Sequence, residues 1–363
     1  MIVLFKILQV ILALSLLIIV HEAGHFLFAK LFHIRVEKFY LFFDVGGKAL
    51  LKFKKGETEF GIGWLPFGGY CKISGMIDES MDLESMKKEP QEWEFRCHPA
   101  WQRLLVMAGG VLFNFIFAIL AFSIISGIWG SAYIPNQQAQ IYPNELARDM
   151  GFRSGDHIIS IDDYEPSDFS SLQADLIRRE GHKVQVLRGT DTVNVYMDQA
   201  RTAEILNSPM MFDLALPFIV DSVSAPENAK ELARGDRILS IDGQSTEFFQ
   251  DAQPVLKACA GRTAEAQILR DGQVVTAPIQ VDSAGRIGIY LKAPNVERRH
   301  YNALESVGQG VKRTGSTITG YVQDLKLVAK PSTGAYKSVG SFIAIGQVFP
   351  SKWDWFQFLN IVA

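Results

Sequence analysis

Cysteine is scarce in this chain of 363 residues: there are three, Cys71, Cys97 and Cys259. Their wide spacing and the lack of a Cys-x-x-Cys pair exclude a disulfide framework and a zinc knuckle; free, buried thiols are expected. Charge of one sign is missing too. The 36 Lys and Arg nearly balance the 39 Asp and Glu, leaving a net charge of −3, too close to neutral for a nucleic-acid partner. No glycine-rich phosphate loop is present, so no nucleotide is expected, and nothing resembles a Ser/His/Asp triad. Charge is scarcest at the start, where residues 2–20 carry only Lys6.

What fills that gap is apolar. Of all residues 48% are hydrophobic, enough for membrane segments beside soluble parts. The run from 2 to 28 is long enough to cross a bilayer. It has no small-x-small cleavage site before its histidines, so it reads as a retained transmembrane helix rather than a signal peptide. Inside it stands His21-Glu22-Ala23-Gly24-His25, after which Phe26-Leu27-Phe28-Ala29 resumes the run. Ionisable groups in a span are costly and mark function by default. Positions i and i+4 share one helical face, so His21 and His25 can grip one metal ion. Imidazole suits Zn2+, which lowers the pKa of a bound water to about 7, and Glu22 is placed to act as the base. A catalytic zinc takes three protein ligands. His33, His98 and Asp44 are available, but each reads better as an ordinary surface residue.

Twelve Lys or Arg lie between Lys30 and Arg103, against Lys6 alone on the other side of the first span. The positive-inside rule puts that interval in the cytoplasm, the N-terminus outside, and the histidines near the cytoplasmic face. Residues 34–73 alternate and are rich in aromatic and β-branched side chains, with Lys55-Gly56-Glu57 as a turn. They close on Gly61-Ile62-Gly63-Trp64-Leu65-Pro66-Phe67-Gly68-Gly69-Tyr70. This predicts a β-hairpin dipping towards the membrane, tolerable only where protein or a wet cavity covers its backbone. A second apolar span follows at 104–129, with Gly109, Gly110 and Asn114 inside it. Asn114 reads equally as helix–helix glue and as a cavity-facing group that hydrogen-bonds a substrate carbonyl.

Beyond residue 130 the composition is that of a soluble part, and a repeat appears. Gly155-Asp156-His157-Ile158-Ile159-Ser160-Ile161-Asp162 returns as Gly235-Asp236-Arg237-Ile238-Leu239-Ser240-Ile241-Asp242. A period of about eighty residues suits two tandem domains rather than a solenoid. Each offers short strands and a helix, at 169–179 and 248–260. Residues 353–363 carry interfacial aromatics and then the first turns of another apolar run.

Taken together, the parts resemble the site-2 protease family of intramembrane zinc metalloproteases. Within it they are similar to the bacterial branch of the regulator of sigma-E protease. The likeness rests on the HEAGH span, Pro66-Phe67-Gly68-Gly69-Tyr70, the Arg103…Gly109…Asn114-Phe115 helix and the doubled Gly-Asp-x-Ile-x-x-Ile-Asp, and covers nearly the whole chain. It implies a polytopic α-helical membrane protein with a membrane-associated β-hairpin region and two tandem PDZ-like α+β domains. The parts are a first transmembrane helix with HEAGH at 1–30, a membrane-re-entrant β region at 31–76 and a cytoplasmic connector at 77–100. After them come a second transmembrane helix at 101–130, PDZ-like domains at 131–215 and 216–295, and a juxtamembrane segment with the start of a further span at 296–363.

It further implies that His21 and His25 bind Zn2+, Glu22 is the catalytic base, and Asn114, Pro66, Gly68 and Gly69 hold an unwound substrate. The partners implied are the lipid bilayer and pre-trimmed single-span proteins, such as anti-sigma factors and signal-peptide remnants. The place implied is the bacterial inner membrane, with N-terminus and PDZ pair extracytoplasmic. The family's third zinc ligand is an aspartate in a Leu-Asp-Gly motif on a later helix. The chain ends at Ala363 ahead of such a helix, so an incomplete metal site is expected, and a membrane-anchored PDZ adaptor is the alternative function. Residues 211–216 are the expected carboxylate-binding loop of the second domain.

Overall fold

A computed structural model describes residues 2–76, 89–208, 210–331, 335–338 and 346–363. Of the connector expected at 77–100, residues 77–88 lie outside the described residues. The chain forms two units, one of Met1–Ser131, His300–Tyr321 and Gly340–Ala363, the other of Ala132–Arg299 and Val322–Val339.

The first unit is built on two helices, α1 (Ile2–Leu31) and α2 (Ala100–Trp129). Both are long and apolar enough to cross a membrane. Only 11% of the apolar window of α1 is buried, whereas the core helix of a water-soluble protein would be covered nearly all round. The two helices meet where neither has a side chain. A Cβ on Gly109 would lie 2.7 Å from the carbonyl oxygen of Gly24, and one on Gly24 would strike the carbonyl of Gly109. Small residues of this kind are what let helix backbones touch. The end of α1 is closed by a backbone cap: Ile34 N–H donates to Ala29 O at 2.8 Å, with His33 in the left-handed region.

Residues 34–73 make more than the expected hairpin. They form a four-stranded sheet of order β2-β3-β1-β4, with β1 Val36–Phe43, β2 Ala49–Lys55, β3 Thr58–Gly63 and β4 Leu65–Ile73. The hairpin is β2–β3, turning at Gly56 with φ +62°. The first strand enters between its neighbours, parallel to β3 (Tyr40 opposite Gly61) and antiparallel to β4 (Tyr40 opposite Tyr70). Alternation along the chain marks strands but carries no information on such non-local pairing. Pro66 fits because β4 is an edge strand, where a missing N–H costs little. Gly69 lets β4 lie against α1, since a Cβ there would come 2.5 Å from Ile18 Cγ2. Ala29, Ile34, Val36, Cys71, Ile73, Phe95 and Val106 form the buried cluster that joins sheet and helices. A short helix, Trp355–Val362, is capped by Asp354 and packs Phe358 and Val362 beside Ala13.

The second unit holds the repeat, one core per copy. Ile158 and Ile161 of the first signature sit in one cluster, Ile238 and Ile241 of the second in the other. Each copy has a three-stranded antiparallel run: His157–Ile161, Lys183–Arg188 and Asp191–Tyr196, then Arg237–Ile241, Thr263–Arg270 and Gln273–Gln280. Each has a helix, Leu172–Arg178 or Phe249–Ala258. A strand pair completes each copy, Ile141–Pro143 with Phe212–Leu214 and Val220–Val223 with Ile289–Leu291. Met211 and Phe212 are therefore buried in the first core, not the second. Within the expected loop at 211–216, Leu214 and Leu216 meet the second copy's helix, Leu214 O accepting from Gln250 Nε2 at 2.6 Å and Leu216 O from Phe249 N–H at 2.8 Å. Cys71 and Cys259 are buried, as expected, whereas Cys97 is exposed.

The repeated Gly-Asp and Ile-Asp have a physical reason. Asp156 accepts both arms of Arg188 at 2.8 Å, and Asp236 accepts those of Arg270 at 2.8 and 2.6 Å. Both carboxylates are fully buried, which only such a paired, bidentate geometry makes tolerable. The closing Asp162 and Asp242 take positive φ and accept the N–H of Lys183 and Glu265 from the next strand. Burial pushes the Asp236 carboxyl up, but Arg270 and the Ala233 N–H outweigh it and hold it below the ordinary carboxylate value. Its stabilisation is thus complete above the unfolded value of about 3.9 and fades as pH falls through the lower folded one. Asp236→Ala is expected to cost the second copy about 2 kcal/mol at neutral pH. Hydrogen exchange along Thr263–Arg270 should speed up at pH 7, with the difference from wild type shrinking in strong acid.

Candidate metal centre

Two imidazoles define the site. His21 and His25, one turn apart on α1, bring their Nε2 atoms to 3.2 Å of each other, with the rings edge to face. His25 is fixed from behind: its Nδ1 lies 2.7 Å from the carbonyl oxygen of Val106 on α2. A carbonyl only accepts, so Nδ1 carries the proton and Nε2 keeps its lone pair for the site. His21 has its Nδ1 3.2 Å from Nδ2 of Asn114. Glu22 is half-buried and lies about 60° round the helix from His25.

The space in front of the nitrogens belongs to Gly110. A Cβ there would stand 2.5 Å from Nε2 of both histidines, in the position a shared ion would need. Two Nε2 atoms facing a point kept open by glycine, with Nδ1 of His25 held by the Val106 carbonyl on α2, fit two imidazole ligands of zinc. Gly110 and Asn114, four residues apart, share the face of α2 that meets α1. The sequence showed these residues as small or polar interruptions of an apolar span, without the direction in which they look.

The other expected participants are placed as follows. Pro66, Gly68 and Gly69 lie on β4, which touches α1 at Ile18, just under one turn before His21. Asp44 is engaged within the sheet region, accepting from Lys38 at 2.9 Å and from the Tyr70 hydroxyl at 2.7 Å. His98 donates to Gln102 at 2.8 Å, and His33 caps α1. Among the described residues, no group of three His, Cys, Asp or Glu gathers to hold a metal. The pair on α1 thus stands as two imidazoles with a neighbouring carboxylate.

Two histidines and a glutamate in this pattern on one helix define a metallopeptidase type of centre, here inside a helix apolar enough to cross a membrane. The model of peptidase family M50 matches residues 9–363. The chain belongs to that family, the site-2 proteases, whose cofactor is zinc. A provisionally named zinc metalloprotease of Borreliella burgdorferi is 28% identical over 355 residues, covering 95% of this chain and 79% of its own. One from Vibrio cholerae is 25% identical over 394 residues, covering 99% and 85%. Protease RseP of Yersinia pestis is 32% identical over 256 residues, covering 66% and 55%.

The cradle makes a prediction. Gly110→Ala places a methyl group between the imidazoles, and His25 cannot swing away without losing Val106. Zinc retained after dialysis of the purified protein should fall about tenfold or more; undiminished zinc would show that the ion does not sit at this point.

Proposed function

We propose that this protein is an intramembrane zinc metalloprotease that hydrolyses peptide bonds within the transmembrane segments of other proteins. The observation that carries the reading is the pair of Nε2 atoms 3.2 Å apart before Gly110, within a membrane-type helix. His21 and His25 would hold Zn2+, which when bound supplies Lewis acidity toward a water and the scissile carbonyl. Glu22 takes a proton from the attacking water as its oxygen bonds to the carbonyl carbon. It returns that proton to the nitrogen as the C–N bond breaks.

A helix hides its own amides, so a transmembrane substrate must unwind before it can be cut. The edge strand β4 offers a backbone for an extended segment to join by strand addition. Pro66, Gly68 and Gly69 lie on it and would line that track, and Asn114 would hold a substrate carbonyl. Exposed Leu50, Leu51 and Phe53 along β2 favour a sheet that sits against lipid, since such an edge would invite aggregation in water. The two repeats read as PDZ domains that admit substrates only after their outer parts are trimmed. Single-span anti-sigma factors and signal-peptide remnants have that form. The basic interval from Lys30 to Arg103 supports a site near the cytoplasmic face of the bacterial inner membrane, with the N-terminus and the PDZ pair outside.

The test uses purified full-length protein, measuring bound zinc and cleavage of a single-span substrate in detergent. Glu22→Gln should lower cleavage by about a thousandfold, within the range of general-base contributions, and leave zinc in place. A wild-type protein that holds no zinc and cuts nothing, yet binds trimmed peptide ends, would be the adaptor instead.

A further inference from the structure

We propose that Asn114 is a positioning residue for the metal ligand His21: its amide oxygen accepts the Nδ1 proton of that ring and so turns the Nε2 lone pair towards the ion. The inference deepens the protease reading and rests on His21 being a ligand.

A neutral imidazole has one N–H, so a ring that ligates through Nε2 must carry its proton on Nδ1. For His25 the Val106 carbonyl, 2.7 Å away, enforces this state from the backbone, whatever side chain α2 carries at that point. For His21 the group at Nδ1 is the Asn114 side chain at 3.2 Å. An amide can face a ring nitrogen with either end, and the two ends select opposite tautomers. With nitrogen inward, Nδ2–H donates to Nδ1, the ring proton moves to Nε2, and Nε2–H points at the His25 nitrogen 3.2 Å away. That arrangement closes the site and leaves Oδ1 of Asn114 buried with no hydrogen-bond partner. Turning the amide by half a rotation exchanges the places of Oδ1 and Nδ2, so that an oxygen faces Nδ1 of His21. The orphaned oxygen gains the Nδ1–H donor, and two Nε2 lone pairs then converge before Gly110. Oxygen and nitrogen of an amide are assigned from the network they make, and oxygen inward is the assignment consistent with His21 ligating through Nε2. The amide N–H groups then take the buried place that the oxygen held.

Simple helix–helix glue would use the same contact without caring which tautomer His21 adopts, and this separates the two roles. Zinc affinity is measured on purified full-length protein by competition with a chromophoric chelator. Wild type, Asn114→Leu and Asn114→Asp are compared, with the His21 nitrogen resonances recorded for the zinc-loaded and zinc-free forms. Asn114→Leu fits an apolar helix, keeps the volume and removes the acceptor; it should bind zinc about tenfold or more weakly. Asn114→Asp keeps an oxygen at Nδ1 and should recover wild-type affinity or better, with His21 protonated at Nδ1. Equal zinc affinity in wild type and Asn114→Leu overturns the positioning role and leaves the protease reading standing. Failure of Asn114→Asp to recover what Asn114→Leu loses also overturns it, because the acceptor would then not be the cause. No zinc in the wild type overturns both.

Discussion

Everything at the candidate centre depends on the backbone contact between Gly24 and Gly109. In hydrocarbon there is no hydrophobic gain in pressing two apolar helices together, so their association rests on close packing. Two glycines facing each other allow the closest packing available. Once they touch, the neighbouring turns of α2 follow. Val106 arrives behind His25, Gly110 in front of both Nε2 atoms, and Asn114 beside His21. Gly24 stands between the two histidines of the motif, so one five-residue stretch carries both imidazoles and the contact that supplies their supports. A side chain at either glycine would part the helices and dissolve all three contacts together.

The sheet repeats this economy of space. Gly69 brings the edge strand β4 onto α1 at Ile18, so a backbone able to pair with an extended chain runs close to the histidines. On the same sheet, Asp44 is held between Lys38 and Tyr70, and Tyr40 donates to Glu59 at 2.7 Å. Such pairing is what allows charged and phenolic groups to sit among aromatic rings. It also gives Asp44, a possible ligand by composition, two partners within the sheet region.

In the other unit, stability comes from two separate cores built to one plan. The buried Asp–Arg pair recurs in both copies, as does a register shift two residues into the signature strand. The shift lets one strand present its isoleucines to the core while its ends still meet the next strand. A motif that reads as a pattern of letters is thus a set of interlocking requirements on burial, charge and backbone direction.

The amino-acid sequence by itself determined the local and periodic features. Apolar length marks the spans, the four-residue spacing of His21 and His25 puts them on one face, and eighty-residue recurrence marks the duplicated domains. These are legible because helix and strand geometry repeat over a few residues, and because an ionisable group in an apolar run stands out. Only the tertiary structure decided what lies opposite each residue. It paired β1 in parallel with β3, moved Met211 and Phe212 into the first core, committed His33 to a helix cap and turned Gly110 and Asn114 towards the histidines. The reason is physical. Spacing along the chain sets which face a side chain occupies, but the partner across that face is chosen by close packing between segments many residues apart.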